Sequence, residues 1–286
     1  MDGIGPPLVT PFDASGDVDH DALAELVDWV EARGVDFLVP CGSNSEAELL
    51  TADERRSVVE TVVDAASVPV LAGTGSPGLQ ETLEATESAA EAGADAALVV
   101  TPFYCDHDQD ALEAYYRELA GDSPLSVYLY SVPAYTGVRL EPETVGALAG
   151  HPNVAGMKDS HADIGEFTRT HRRVADETFD LMIGSASVLA AALDAGAGGG
   201  VVALANLLPE ETSEVYRRHA EDPATARQAN ADLVEVNTAI TATYGVPGLK
   251  YAMRRRGAPA GRPRAPHRPP DEATKAHLRD LLAAVE

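Results

Sequence analysis

Three lysines occur in 286 residues: Lys158, Lys250 and Lys275. Lys158 lies in V-A-G-M-K-D-S, residues 154–160, an apolar run with the length of a buried strand. Burial disfavours a charged ammonium and so frees a nucleophilic amine. Lys158 is therefore a candidate Schiff-base nucleophile toward a ketone. A lysine that snorkels to water or pairs with Asp159 would carry the same local signature. Tyr130 sits in L-Y-L-Y-S-V-P, where strand alternation aims one of Tyr128 and Tyr130 inward. An inward phenol can move protons at a Schiff base, or simply fill the core. The turn Gly42-Ser43-Asn44-Ser45 gathers hydroxyls and backbone amides. Such a turn can cradle an anion or cap the next helix. Cys105-Asp106-His107-Asp108 matches no metal-ligand spacing, and the histidines form no H-x-H or H-E-x-x-H pattern. No metal is expected.

The elements that must position these residues alternate regularly. Strand-like runs cover residues 4–12, 35–40, 68–75, 96–103, 125–132, 154–160, 179–184 and 199–205. Helical spacing covers 21–33, 51–66, 79–92, 109–120, 141–149, 165–174 and 187–195, with Thr51 and Glu54 as a capping box. Eight uninterrupted apolar strands in β-then-α order predict an α/β fold, a closed (β/α)8 TIM barrel. No G-x-G-x-x-G opens the first helix, which argues against a doubly wound sheet. The predicted division is a barrel over 1–206 and a C-terminal helical extension packed on it over 207–286. Within the extension, 209–244 reads as two helices, 254–270 as an extended Pro- and Arg-rich connector, and 271–285 as a last helix. In such barrels the loops after the strands build the site. Those loops hold Cys41–Glu46, Phe103, Tyr104, Tyr130, Lys158–Ser160, Gly184, Ser185 and 203–206.

Formal net charge is −25. That speaks against nucleic acid, whose phosphates demand basic patches, and against anionic membrane surfaces. The acid is spread along the chain, and arginine far exceeds lysine, the pattern of a protein adapted to molar salt. At 1 M the Debye length is about 3 Å, so surface repulsion is screened. Two cysteines, Cys41 and Cys105, make no disulfide scaffold and suit a reducing cytosol. No signal peptide and no membrane-spanning run is evident, so a cytoplasmic protein is expected.

Several motifs occur together and in order: G-P-P-L-V-T-P-F at the start, G-S-N-S-E at 42–46, V-V-T-P-F-Y at 99–104, Y-S-V-P-A-Y-T-G at 130–137 and G-M-K-D-S at 156–160. The chain resembles, over its whole length, the pyruvate-dependent class I aldolases that include dihydrodipicolinate synthase, N-acetylneuraminate lyase and 2-keto-3-deoxygluconate aldolase. The family patterns are G-[ST]-T-G-E, Y-N-x-P-x-x-[ST]-G and G-[IL]-K-[DE]-[ST]. The resemblance implies Lys158 as the Schiff-base lysine and Tyr130 as general acid/base. Ser43 would relay protons to that tyrosine, and Tyr104 would complete the relay, in some members from a neighbouring subunit of a homotetramer. Gly42, Ser43, Asn44 and Ser45 would form the carboxylate-binding turn. Gly184 and Ala203 would line the pyruvate pocket, and Ser160 would touch substrate hydroxyls. The imine is the electron sink, so no metal or organic cofactor is implied.

Three departures stand out. Tyr135 replaces the arginine with which the synthases bind their second substrate's carboxylate. Asn44 replaces a threonine, and Ser45 a glycine. The loss of the arginine favours a 2-keto sugar acid: reversible cleavage of 2-keto-3-deoxygluconate or its 6-phosphate to pyruvate and glyceraldehyde or its 3-phosphate. The alternatives are 4-hydroxy-tetrahydrodipicolinate synthase, another pyruvate-dependent aldolase, or a keto-acid-binding barrel without turnover. For a phosphate group the candidate cations are His107, Arg139 and Lys250, the last placed after a Y-G-V-P turn.

Overall fold

The computed structural model describes residues 1–285. Seven parallel strands form one sheet: β1 (Gly3–Gly5), β2 (Leu71–Gly73), β3 (Ala96–Val100), β4 (Ser126–Ser131), β5 (Val154–Asp159), β6 (Asp180–Ile183) and β7 (Gly199–Val201). Their order is β1-β7-β6-β5-β4-β3-β2. The predicted second strand, residues 35–40, closes the ring between β1 and β2 through two isolated bridges, Pro7–Val39 and Leu38–Val70. It forms no continuous ladder because prolines interrupt it. Pro6, Pro7, Pro40 and Pro69 have no N–H to donate. The remaining bonds run from Asp36 N to Ile4 O at 2.8 Å, Val39 N to Pro6 O at 3.1 Å and Leu8 N to Val39 O at 3.0 Å on one side, and from Leu38 N to Pro69 O at 2.9 Å, Leu71 N to Leu38 O at 2.8 Å and Gly73 N to Pro40 O at 2.9 Å on the other. The barrel is thus closed by eight chain segments, as the alternation predicts.

Side chains divide by strand parity. Phe37, Val39, Leu71, Leu98, Tyr128, Tyr130, Met182 and Val201 fill the interior. Gly5 makes room there, since a Cβ would lie 2.3 Å from the Phe37 ring. The opposite faces, including Val127, Leu129, Val154, Met157 and Leu181, pack under the helices.

One irregularity changes parity on β5. Val127 of β4 pairs with Val154, but the next residue, Tyr128, pairs with Gly156. Ala155 is the extra residue of a bulge and packs toward the interior cluster. Simple alternation from Val154, which faces the helices, would have turned Lys158 toward the helices as well. The bulge turns it inward, opposite Tyr130 on β4 and Met182 on β6.

Seven helices follow the strands closely as predicted, and carboxylates and hydroxyls cap several of them. Asp19, Asp108 and Asp163 accept from the backbone of Ala22, Ala111 and Glu166, and Thr51 with Glu54 forms the capping box. Beyond the barrel, helices span Pro209–Glu221, Pro223–Thr238, Gly245–Arg255 and Glu272–Val285, with a π turn over Ala239–Thr243. The helix Gly245–Arg255 corrects the sequence reading, which made Y-G-V-P a turn. Pro247 lies in the first helical turn, where an N–H has no intrahelical partner to lose. Asn230 ties this region to the barrel, accepting from Ala190 N at 2.9 Å and donating to Ala186 O at 2.7 Å. No helix among the described residues is long and apolar enough to cross a membrane.

Residues 262–267 run back across the barrel. Arg264 grips Glu54 with two bonds, 2.8 Å from Nη1 and 2.5 Å from Nη2, and donates to Gly16 O and Leu49 O. Hydrogen bonds from this guanidinium hold the Glu54 carboxyl at about 2. A carboxyl lowered by folding stabilises the native state above its unfolded value and loses that contribution as pH falls toward the folded one. Between about pH 4.5 and 2, the melting temperature of the wild type should therefore fall more steeply than that of Arg264→Gln; parallel curves would remove the tether's role. The charge excess carries a second expectation. With 46 acidic and 21 basic residues, more than half of the carboxylates lack a basic partner of their own. Far-ultraviolet ellipticity should be lost on dialysis from about 2 M KCl into dilute buffer, where the screening length exceeds the spacing of surface charges. Unchanged ellipticity would refute it.

Candidate active site

The centre of the site is set by the β4–β5 ladder. Tyr130 and Lys158 are register partners, and they are only 5% and 4% exposed. The Lys158 Nζ lies 4.2 Å from the centroid of the Tyr130 ring, within cation–π range. Asp159, one residue on, faces the opposite side. Its carboxylate accepts from His161 N at 2.8 Å, and burial pushes its carboxyl up. No ion pair joins Lys158 to Asp159 among the described residues, which removes the simplest structural explanation for the lysine.

The turn predicted to bind an anion meets this pair from the segment after residues 35–40. Ser43 Oγ and the Tyr130 hydroxyl are 3.4 Å apart. Ser43–Ser45 is a single 3-10 turn, and Asn44 at its middle is half-buried. Ser45 differs from the reading that gave it to the substrate. It is 1% exposed; its hydroxyl accepts from Gly42 N at 3.1 Å and donates to Leu8 O. Ser45 therefore pins the turn to the barrel rather than facing a ligand. Replacement of the family's glycine does not distort the loop, because its positive φ angles fall on Cys41 at 57° and Glu46 at 55°. The Cys41 thiol is buried and pushed up to about 11 by desolvation, which leaves it protonated and inert.

The other predicted residues fall on the same barrel end. Ser160 N donates to Ser131 O at 2.9 Å, and Gly184 N to Asp159 O at 2.6 Å. A Cβ at Gly184 would lie 1.8 Å from Ser160 Oγ, so the two residues pack without space for any side chain between them. Ala203 is buried and opens the 3-10 turn Ala203–Asn206. Asn206, placed in a loop by the sequence reading with no assigned task, is fully buried. It donates to Pro7 O at 2.9 Å and Ala203 O at 3.3 Å, and accepts from Val9 N at 3.3 Å. It thereby joins the last barrel turn to the first.

Tyr104 and Tyr135 are the exposed large side chains of the set. Tyr104 is 95% exposed with φ 81°, and Tyr135 is 70% exposed. Within one chain, Tyr104 makes no hydrogen bond to Tyr130 or Ser43 among the described residues. Of the proposed phosphate ligands, Lys250 is ruled out by burial. It is 0% exposed and ion-paired to Glu46, on a helix that the sequence reading missed. His107 is exposed. Arg139 is held by Glu166 at 2.6 Å, with His161 3.6 Å from the same carboxylate.

Comparison with known proteins covers this whole architecture. A family model, that of the dihydrodipicolinate synthetase family, matches residues 1–285. The chain is 34% identical over 284 residues to a 4-hydroxy-tetrahydrodipicolinate synthase of Methanothrix thermoacetophila, covering 99% of this chain and 96% of the other. It is 39% identical over 289 residues to an uncharacterized DapA-like lyase of the halophile Halobacterium salinarum, covering 99% and 93%. Among solved structures, the dihydrodipicolinic acid synthase family protein YagE of E. coli K12, in complex with pyruvate, aligns with a TM-score of 0.95 at 31% identity, covering 100% and 98%. A monomeric dihydrodipicolinate synthase variant aligns at 0.94 and 26%, covering 99% and 96%. A barrel of this connectivity, a buried lysine and tyrosine paired across β4 and β5, and likeness along the entire chain lead to one conclusion: this chain belongs to the dihydrodipicolinate synthetase family of pyruvate-dependent class I lyases.

Proposed function

We propose that the chain makes or breaks a carbon–carbon bond through a pyruvyl Schiff base on Lys158. The observation that carries this reading is the buried Lys158–Tyr130 pair, with the Tyr130 hydroxyl 3.4 Å from Ser43 Oγ. The Lys158 amine attacks the ketone carbon of pyruvate. Loss of water gives an iminium, and loss of a methyl proton gives an enamine. The enamine carbon attacks an aldehyde, and Tyr130 donates the proton that the new alkoxide takes. In the reverse direction Tyr130 removes the proton from the C4 hydroxyl, the C3–C4 bond breaks, and the iminium accepts the electron pair. Hydrolysis then frees Lys158. Ser43 and Asn44, with amides of their turn, would hold the ketoacid carboxylate. Gly184 and Ala203 would wall the pocket, and Ser160 would meet hydroxyls of the second reactant. Tyr104, too exposed to act within its own chain, would reach a neighbouring subunit's relay in a homotetramer. The monomeric relative makes that assembly a point to measure in cytosol-like, high-salt buffer.

Two second reactants compete, and the relatives back the synthase more strongly. The product name 4-hydroxy-tetrahydrodipicolinate describes a seven-carbon, ring-nitrogen dicarboxylate. Removing pyruvate's three carbons leaves aspartate 4-semialdehyde as the partner aldehyde. The sugar-acid reading rests on Tyr135, which puts a phenol where the synthases carry the arginine for that partner's carboxylate. With Lys250 buried under Glu46, the free sugar acid is favoured over its 6-phosphate within this second reading.

Borohydride reduction in the presence of pyruvate should attach a three-carbon adduct to Lys158, read by peptide mass. Lys158→Ala should lose both adduct and turnover, by several orders of magnitude. A Lys158→Ala variant that still turns over would refute the mechanism. Tyr130→Phe should still form the adduct and slow turnover about 10²- to 10⁴-fold; wild-type turnover would remove Tyr130 from proton transfer. Condensation of pyruvate with aspartate semialdehyde, and pyruvate release from 2-keto-3-deoxygluconate and its 6-phosphate, measured side by side, separate the two readings.

A further inference from the structure

Glu46 and Lys250 form an ion pair in which both side chains are 0% exposed. The pair lies beside the Ser43–Ser45 turn and takes no part in the proposed chemistry. Lys250 Nζ donates to the Glu46 carboxylate, to Thr10 O at 2.6 Å and to Arg262 O at 2.8 Å. An ammonium has three donors, so all are used. The Glu46 carboxylate also accepts from Arg264 N at 2.9 Å and meets His267 Nδ1 at 3.0 Å. Four stretches of chain converge on it: the site turn, the segment after β1, the helix Gly245–Arg255 and residues 262–267.

Glu46 has a left-handed backbone, φ 55° and ψ 37°, a conformation disfavoured for a residue other than glycine. Its N–H donates to Ser43 O at 3.3 Å. The conformation of Glu46 and the position of Ser43 are therefore coupled through a single turn. Stability alone does not explain the pair. Desolvation offsets the attraction of a buried ion pair, and apolar residues of similar volume are often as stable or more so. A carboxylate with a full set of directional partners does supply one fixed position for the turn that carries it.

We propose that Glu46 and Lys250 are positioning residues: the pair, with His267 at its edge, holds the Ser43–Asn44 turn where it can receive the ketoacid carboxylate above Lys158. This rests on the assignment of Ser43 and Asn44 to that carboxylate. Loosening the pair should weaken pyruvate binding and leave the chemistry of Lys158 intact.

The test is the pyruvate concentration that half-saturates borohydride trapping, with melting temperature measured on the same samples in about 2 M KCl. The double variant Glu46→Leu/Lys250→Met removes both members, so neither is left buried without its partner. Its half-saturating concentration should rise about tenfold or more, equivalent to about 1.4 kcal/mol or more of binding, while trapping at saturation stays complete. His267, with its side chain 33% exposed, can be removed without opening the core. His267→Ala should raise the half-saturating concentration about two- to fivefold with little change in melting temperature. A folded double variant with wild-type half-saturation overturns the proposal. If the double variant does not fold, wild-type half-saturation in His267→Ala overturns it. A wild type that never traps pyruvate sinks the Schiff-base reading of Lys158, and the proposal with it; a wild type that traps it while the variants match sinks the positioning role and leaves the Schiff base standing.

Discussion

The site depends on a one-residue change of register. Between β4 and β5 the partner of successive residues jumps from Val154 to Gly156. Strand side chains alternate with a period of two, so one extra residue exchanges the two faces of everything after it. Val154 and Met157 both pack under the helices, which plain alternation forbids for residues three apart. The bulge at Ala155 reconciles them and sends Lys158 into the barrel beside Tyr130. Backbone hydrogen bonds on both sides of β5, to β4 and β6, then hold the lysine where a flexible four-carbon side chain would otherwise have wide freedom.

Directly around that pair the protein packs backbone and small residues, with the Glu46–Lys250 ion pair behind the turn. Gly184 packs against Ser160, Ser45 pins its turn to Leu8, and Asn206 bridges Pro7 to Ala203, around the paired amine and phenol of Lys158 and Tyr130. In a chain of net charge −25, the ketoacid of the proposed reaction would approach against a repulsive field, and local amide and hydroxyl donors would have to receive it. The cations that the chain does possess are largely engaged elsewhere: Arg264 on Glu54, Arg139 on Glu166, Lys250 on Glu46.

Much of this was legible in the residues. The alternation of apolar and amphipathic runs reports the (β/α)8 barrel, because parallel strands buried on both faces must be continuously apolar. Helix starts were marked by local capping chemistry at Thr51 and Glu54. The shortlist of loop residues after strands contained Lys158, Tyr130, Ser43 and Gly184, since a parallel barrel puts those ends together. Reading Y-G-V-P as a turn failed because proline is harmless in a first helical turn, and nothing in the local pattern distinguishes the two cases.

What the amino-acid sequence determined by itself was therefore short-range or periodic: element type, barrel class, the acidic surface, and the identity of the amine and phenol at strand ends. Tertiary structure decided the rest. The bulge at Ala155 is set by which residues of β4 pair with β5, and no hydropathy period records a skipped partner. The fate of Lys250 is decided by Glu46, 204 residues away in the chain, and that of Ser45 by Leu8, 37 residues away. These are desolvated, directional contacts between distant segments, and they exist only once the barrel has closed.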